Sequence, residues 1–163
     1  MARFTTIEIC KEFMHFSAAH FTIFSQTERE RLHGHNFRVA VRVVAPVDDN
    51  GLCFNYKIIK DHIRDLCIEL DEYTLLPGNS PYLNIIREDA HYRVEFDGEY
   101  MLFLAPEVKI LPISNITVEE LSHHLLHKVL EDGTLENDYA IQEVEIKVAS
   151  GSNQWGTSSW TKS

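Results

Sequence analysis

Between His35 and Val44, apolar Phe37, Val39, Val41 and Val43 alternate with Asn36, Arg38, Ala40 and Arg42. That period of two predicts a strand with one packed and one polar face. Strand formers also crowd Thr6–Phe16, and a polar stretch with Glu28, Arg29, Glu30 and Arg31 separates the two segments. After the turn residues Asp48-Asp49-Asn50-Gly51, the period lengthens. Ile59, Ile63, Leu66, Cys67 and Leu70 recur at helical spacing while Lys60, Asp61, Arg64 and Asp65 face elsewhere. This predicts an amphipathic helix, capped by Asn55 and ending near Asp71.

Pro77-Gly78-Asn79-Ser80-Pro81 reads as a loop, and Arg93–Phe96 and Tyr100–Leu104 flank Asp97-Gly98, a strong hairpin signal. A second helix is expected from Thr117, with Glu120 completing a capping box, Val118, Leu121, Leu125 and Val129 buried, and Gly133 at its exit. The last expected strand, Glu143–Ala149, alternates Val144, Ile146 and Val148 with Glu145 and Lys147. Grouped strands with two amphipathic helices predict an α+β fold: an antiparallel sheet with both helices on one face, plus an added hairpin. The whole chain, 1–163, is expected to form one domain.

Charge narrows the partners. Against 25 Asp and Glu stand 15 Lys and Arg, a formal charge of -10, with no basic tract longer than a pair. A phosphate-tracking nucleic-acid surface is therefore excluded, and a small-molecule partner expected. Cys10, Cys53 and Cys67 are odd in number and far apart, which predicts free thiols in a reducing compartment. Met1-Ala2-Arg3-Phe4 leads straight into strand-like sequence, and no apolar run is long enough to span a membrane, so a cytoplasmic location is expected.

His33 and His35 are separated only by Gly34, so on an extended backbone both imidazoles project to the same side. His20 ends the first expected strand, and pairing that strand with the one His35 begins brings all three histidines together. Three imidazoles with no fourth protein ligand describe an open zinc site, with the vacant position left for water or substrate. An isolated HxH pair is more often ordinary surface or core histidine. Here the neighbouring residues decide otherwise.

Phe16-Ser17-Ala18-Ala19-His20 and Leu32-His33-Gly34-His35-Asn36-Phe37 resemble the metal signature of the 6-pyruvoyltetrahydropterin synthase and 6-carboxytetrahydropterin synthase family, the latter of queuosine biosynthesis. Phe54-Asn55-Tyr56-Lys57, Leu70-Asp71 and Thr117-Val118-Glu119-Glu120-Leu121 extend the likeness through most of the chain. The resemblance implies a T-fold whose subunits join their sheets into a barrel, stacked as a homohexamer built from two trimers. It also implies zinc (Zn2+) held by His20, His33 and His35, and action on the side chain of 7,8-dihydroneopterin triphosphate. In such a reaction the metal acts as a Lewis acid on the side-chain hydroxyls while a base removes a proton.

Departures from the family pattern shift the expected reaction. Arg29 stands where the family has a cysteine, four residues before His33. Glu30-Arg31-Leu32-His33-Gly34-His35 is instead similar to an ExxHGH subgroup, in which glutamate serves as base in a cleavage to 6-hydroxymethyldihydropterin. Glu28 is the weaker rival for that role. Glu72 replaces the histidine that follows Leu-Asp in the family, so Glu30, Asp71 and Glu72 make up the candidate catalytic set. Aligned with the family's pterin-anchoring segment, Ile146-Lys147-Val148-Ala149-Ser150 puts no acid at the expected position; Glu143 and Glu145 lie upstream, and Glu145 is expected to face solvent.

The sequence therefore predicts a zinc-dependent, pterin-processing lyase. The alternative is a catalytically inactive or repurposed zinc-containing protein that binds a pterin or purine on the same scaffold. His123 and His127 are spaced for a metal pair, but no acid or cysteine completes a ligand set, and an exposed helical face is expected there. His15, His62 and His91 follow no pattern, and Trp155 and Trp160 read as packing residues.

Overall fold

The computed structural model describes residues 3–163; Met1 and Ala2, which the sequence reading placed ahead of the first strand, lie outside them. In chain order the elements are β1 (Arg3–Ile9), β2 (His15–His20), β3 (His33–Val47), α1 (Lys57–Leu70), β4 (Tyr73–Pro77), β5 (Asn84–Glu88), β6 (His91–Phe96), β7 (Glu99–Leu104), β8 (Val108–Leu111), α2 (Val118–Leu130), α3 (Thr134–Asn137), β9 (Glu143–Gly151) and β10 (Gln154–Thr161). They form a mixed α+β fold.

The long β3 organises the main sheet, because its alternation of buried and half-exposed residues runs unbroken from Phe37 to Ala45. Along one edge it pairs with β9; along the other it pairs first with β2, through His20↔His33 to His15↔Arg38, and then with β1. The single expected strand over Thr6–Phe16 is thus two strands. A turn closed by the Met14 N–H to the Lys11 carbonyl interrupts it, and Met14 is buried at the break. The sheet order is β10-β9-β3-β2-β4-β8, with β1 on β3.

The expectation of a purely antiparallel sheet is corrected, since β2–β4 and β4–β8 run parallel. A parallel pair needs a long crossover. Here the segments between β2 and β4 and between β4 and β8 supply it, the second carrying a separate three-stranded sheet ordered β5-β6-β7. Its β6–β7 hairpin is the one expected at Asp97-Gly98. Both turn residues have positive φ, 46° and 79°, which the twist of a tight hairpin requires. The strands β4, β5, β8 and β10 and the short α3 had no sequence expectation.

Both long helices cover one face of the main sheet. Ile59, Ile63, Leu66, Cys67 and Leu70 of α1 and Leu121, Leu125 and Val129 of α2 share a core with Phe16, Phe37, Val39, Val41, Val144, Ile146 and Val148. Val118 is only half-buried against that core. Asn55 caps α1 as expected, its Oδ1 accepting the Lys57 N–H at 3.0 Å, and Tyr56 already has helical dihedrals. For α2 the expected box is half formed: Thr117 Oγ1 accepts the Glu120 N–H, but the Glu120 carboxylate turns to the N–H and hydroxyl of Ser114. No helix among the described residues is long and apolar enough to cross a membrane.

Candidate metal centre

Register is what assembles the histidines. His20 and His33 are directly opposed in the β2–β3 ladder, and His35 lies two residues along the same face, next to Phe37. All three rings project to the core side, where the Phe37 ring lies 5.4 Å from His20 and 5.6 Å from His35. One ligand atom from each of His20, His33 and His35 can be chosen so that all lie within 4.8 Å of one another.

Hydrogen bonds fix which nitrogen of His20 and of His33 faces the cluster. A carbonyl oxygen only accepts, so His20 Nδ1 donates to Ile116 O at 2.8 Å and His33 Nδ1 donates to Arg31 O at 2.7 Å. In the neutral rings both Nε2 atoms are left bare. His20 Nε2 is buried and has no hydrogen-bond partner, while His33 Nε2 and His35 Nε2 lie only 2.9 Å apart. Two lone pairs at that distance repel unless a proton or cation lies between them. An orphaned, buried imine nitrogen beside two more imidazoles fits a divalent metal, and the Ile116 and Arg31 carbonyls hold His20 and His33 in a ligand-competent tautomer.

Electrostatics agree with that donor set. Burial, with repulsion from His33 and His35, holds His20 below the ordinary histidine range, and burial with repulsion from His33 does the same to His35. Both are therefore neutral near pH 7. Glu30 completes the rim: its Oε2 lies 3.8 Å from His33 Nε2 and accepts the Thr22 N–H at 3.0 Å. Burial pushes the Glu30 carboxyl up, but hydrogen bonding from Thr22 and the nearby His33 and His20 outweigh it and hold it below the usual carboxylate range.

The other candidate residues lie elsewhere. Asp71 Oδ1 accepts the Ser17 N–H at 2.8 Å and ties the end of α1 to β2. Glu72, with φ of 63°, donates its N–H to Ser17 O and is exposed. It lines a groove of about 550 Å³ with Ser17, His35, Asn36, Thr74 and Glu107; Ser17 and Asn36 belong to the sheet face opposite Phe16 and Phe37. Glu28 is exposed; its carbonyl accepts the N–H groups of Phe24 and Ser25. His123 and His127 stack edge to face on the exposed side of α2, as expected.

Four contributors were not foreseen: the Ile116 and Arg31 carbonyls, the Thr22 N–H and Asn115. The Asn115 side chain accepts the Ile23 N–H and donates to the Ile23 carbonyl, so it pins the chain just after His20. Ile116, Arg31 and Thr22 act through the main chain, and the Asn115 contact joins segments far apart in sequence. None leaves a side-chain signal in the sequence.

The family model for 6-pyruvoyl tetrahydropterin synthase matches residues 8–157. A Methanocaldococcus jannaschii protein described as a candidate 6-carboxy-5,6,7,8-tetrahydropterin synthase is 25% identical over 119 residues, 72% of each chain. The crystal structure of 6-pyruvoyl tetrahydropterin synthase from Plasmodium vivax superposes with a TM-score of 0.93 at 24% identity, over 98% of this chain and 99% of that one. A variant of the P. vivax protein, in which a glutamate named as a catalytic residue is replaced by alanine, gives the same score at 23% identity with the same coverage.

Proposed function

The chain belongs to the 6-pyruvoyl tetrahydropterin synthase family, and from that premise we propose that it is a zinc-dependent lyase acting on the side chain of 7,8-dihydroneopterin triphosphate or a related pterin. His20, His33 and His35 would hold the zinc, and Glu30 would serve as base, with 6-hydroxymethyldihydropterin as the product class. The observation that carries this reading is the Glu30 carboxylate, 3.8 Å from His33 Nε2 at the rim of a three-histidine cluster. The P. vivax protein of the same fold also has a glutamate named as a catalytic residue.

When bound, zinc would supply Lewis-acid polarisation of the substrate's hydroxyl oxygens. The chain's own residues do the rest. Ionised at neutral pH, Glu30 accepts a proton from the substrate side chain, and the Thr22 N–H orients its carboxylate for that transfer. The Ile116 and Arg31 carbonyls hold His20 and His33 in place. Arg29 occupies the family's cysteine position, so thiol chemistry plays no part.

Asp71 and Glu72 are proposed to act across a subunit contact in a homo-oligomer, since both are exposed just after α1 and Glu72 lines an open groove whose wall includes His35. One observation favours a second reading, a zinc-containing binding protein without turnover. The C-terminal part of β9 offers Val148, Ala149 and Ser150, with no carboxylate to hold a pterin's guanidine-like edge.

Incubating zinc-loaded protein with 7,8-dihydroneopterin triphosphate and following products by chromatography and mass separates the two readings. Turnover that Glu30→Gln lowers by roughly 10²- to 10⁴-fold, with zinc per chain unchanged, is expected. Undiminished turnover in Glu30→Gln removes Glu30 from the mechanism. Ligand binding without product favours the second reading, and zinc near zero in protein purified without chelator sinks both.

A further inference from the structure

The segment between His20 and His33 must hold Glu30 in place, yet its only regular pairing among the described residues is one bridge between Ile23 and Arg29. A few main-chain bonds fold it back on itself: the Glu30 N–H donates to Thr22 O at 2.8 Å, and the Phe24 N–H to Glu28 O at 2.9 Å. Such a loop needs support from below. It has a hydrophobic core of its own, in which Phe21 and Ile23 are buried with Leu76, Val94, Phe96 and Val108, separate from the core under the helices. Val94 and Phe96 come from β6, so the accessory sheet packs beneath the loop that carries Glu30.

Arg29 joins the two. Its guanidinium carbon lies 4.9 Å from the Phe21 ring centre and 5.6 Å from that of Phe96, and its Nη1 donates to the Glu30 carbonyl at 2.8 Å. A planar guanidinium can lie against aromatic rings and still donate in its plane, which an ammonium cannot do equally well. The next carbonyl, Arg31 O, is held by His33 Nδ1. The two peptide groups after Glu30 and Arg31 are therefore tethered in succession, one to the accessory sheet through Arg29 and one to the metal ligands.

We propose that Arg29 is a positioning residue for Glu30, and that the β5–β7 sheet acts through Phe96 as the anchor of this clamp. The inference rests on the reading of Glu30 as base. It gives a role both to an arginine where the family has cysteine and to a sheet that contributes no group to the histidine cluster.

The test compares Arg29→Gln, Arg29→Lys, Phe96→Leu and Phe96→Tyr with the parent protein. Steady-state kinetics, zinc per chain and amide hydrogen exchange over Thr22–Glu30 are measured for each. The first three variants are expected to lose roughly tenfold to a hundredfold in kcat, because small misplacements of a catalytic group have large effects. Their KM and zinc content stay unchanged, since the three histidines sit on strands, while loop exchange rises about tenfold. Phe96→Tyr keeps the ring and is expected to keep parent kcat and exchange.

Unchanged loop exchange in Arg29→Gln overturns the clamp. Faster exchange with undiminished kcat overturns the positioning role. A drop in zinc that parallels the drop in kcat also overturns it, because the effect would then be on the metal site as a whole. If the parent protein itself shows no turnover, the lyase reading fails separately, and exchange in metal-free and zinc-loaded protein decides the clamp alone.

Discussion

At the residue scale, burial separates chemically similar side chains. The three cysteines are free, but Cys10 is exposed, Cys53 half-buried and Cys67 buried. Burial, with the nearby Asp71 carboxylate, pushes the Cys67 thiol up to about 12. Since the thiolate is the reactive form, Cys67 should resist alkylation in the folded protein while Cys10 reacts first. Mass spectrometry of protein labelled at pH 8, before and after unfolding, should find Cys67 modified only after unfolding; rapid labelling of native protein there would contradict its burial. The histidines divide the same way. His20 is 4% exposed with its Nε2 orphaned, whereas His123 and His127 meet solvent on α2. Sequence spacing separates these sets only in part. HxH was legible because Gly34 spaces two side chains onto one face, but the orientation of the His20 and His33 rings came from carbonyls that carry no side-chain pattern.

At the element scale, α2 is held against the sheet through β10, whose existence the sequence did not announce. Ser122 and Ser158 hydroxyls meet at 2.8 Å across that contact. A methyl group on Gly156 would lie 2.5 Å from the Val118 carbonyl carbon and 2.8 Å from the Glu119 nitrogen. Those are backbone atoms of the first turn of α2 and cannot swing away. Gly156→Ala is accordingly expected to destabilise the fold by about 1–3 kcal/mol, as overpacked sites do. Urea titration should show an earlier midpoint with an unchanged slope; an unchanged midpoint would mean that α2 and β10 can separate without cost. The strand β10, Gln154–Thr161, escaped notice because its apolar alternation is broken by Gly156, Ser158 and Ser159. It pairs because β9 offers a free edge, not because its own pattern demands a core.

For the whole molecule, the balance between folded and unfolded states must respond to pH through groups that folding desolvates. His124 sits half-buried on α2, facing Glu69 from α1, with Lys128, His127 and His123 on its own helix. Burial, then repulsion from Lys128 and His127, holds it below the ordinary histidine value, against the opposing pull of Glu69. The unfolded chain therefore binds this proton more tightly than the folded one. The His124 contribution to stability is complete above about pH 6.5 and is lost as the pH falls through the folded value. Thermal midpoints of the parent and His124→Gln should converge at acid pH, the variant showing the shallower acid decline. Parallel curves would remove His124 from the linkage. The comparison is made between the two proteins because His20 and His35 titrate in both.

What the sequence determined by itself was whatever is local and periodic. The alternation in β3 and β9, the apolar stripes and caps of α1 and α2, the Asp97-Gly98 hairpin and the HxH pair each follow from neighbours within a few residues. Membership of the family was legible as well, because its signature is a contiguous run around those histidines. Only the tertiary structure decided the parallel placing of β4 and β8, the break between β1 and β2, and the second core beneath the Glu30 loop. It alone brought Ile116, Asn115 and Phe96 to the site. Strand order and the contacts that hold the histidine rings join segments far apart in sequence, through backbone groups every residue shares, so their determinants are spread over the whole chain.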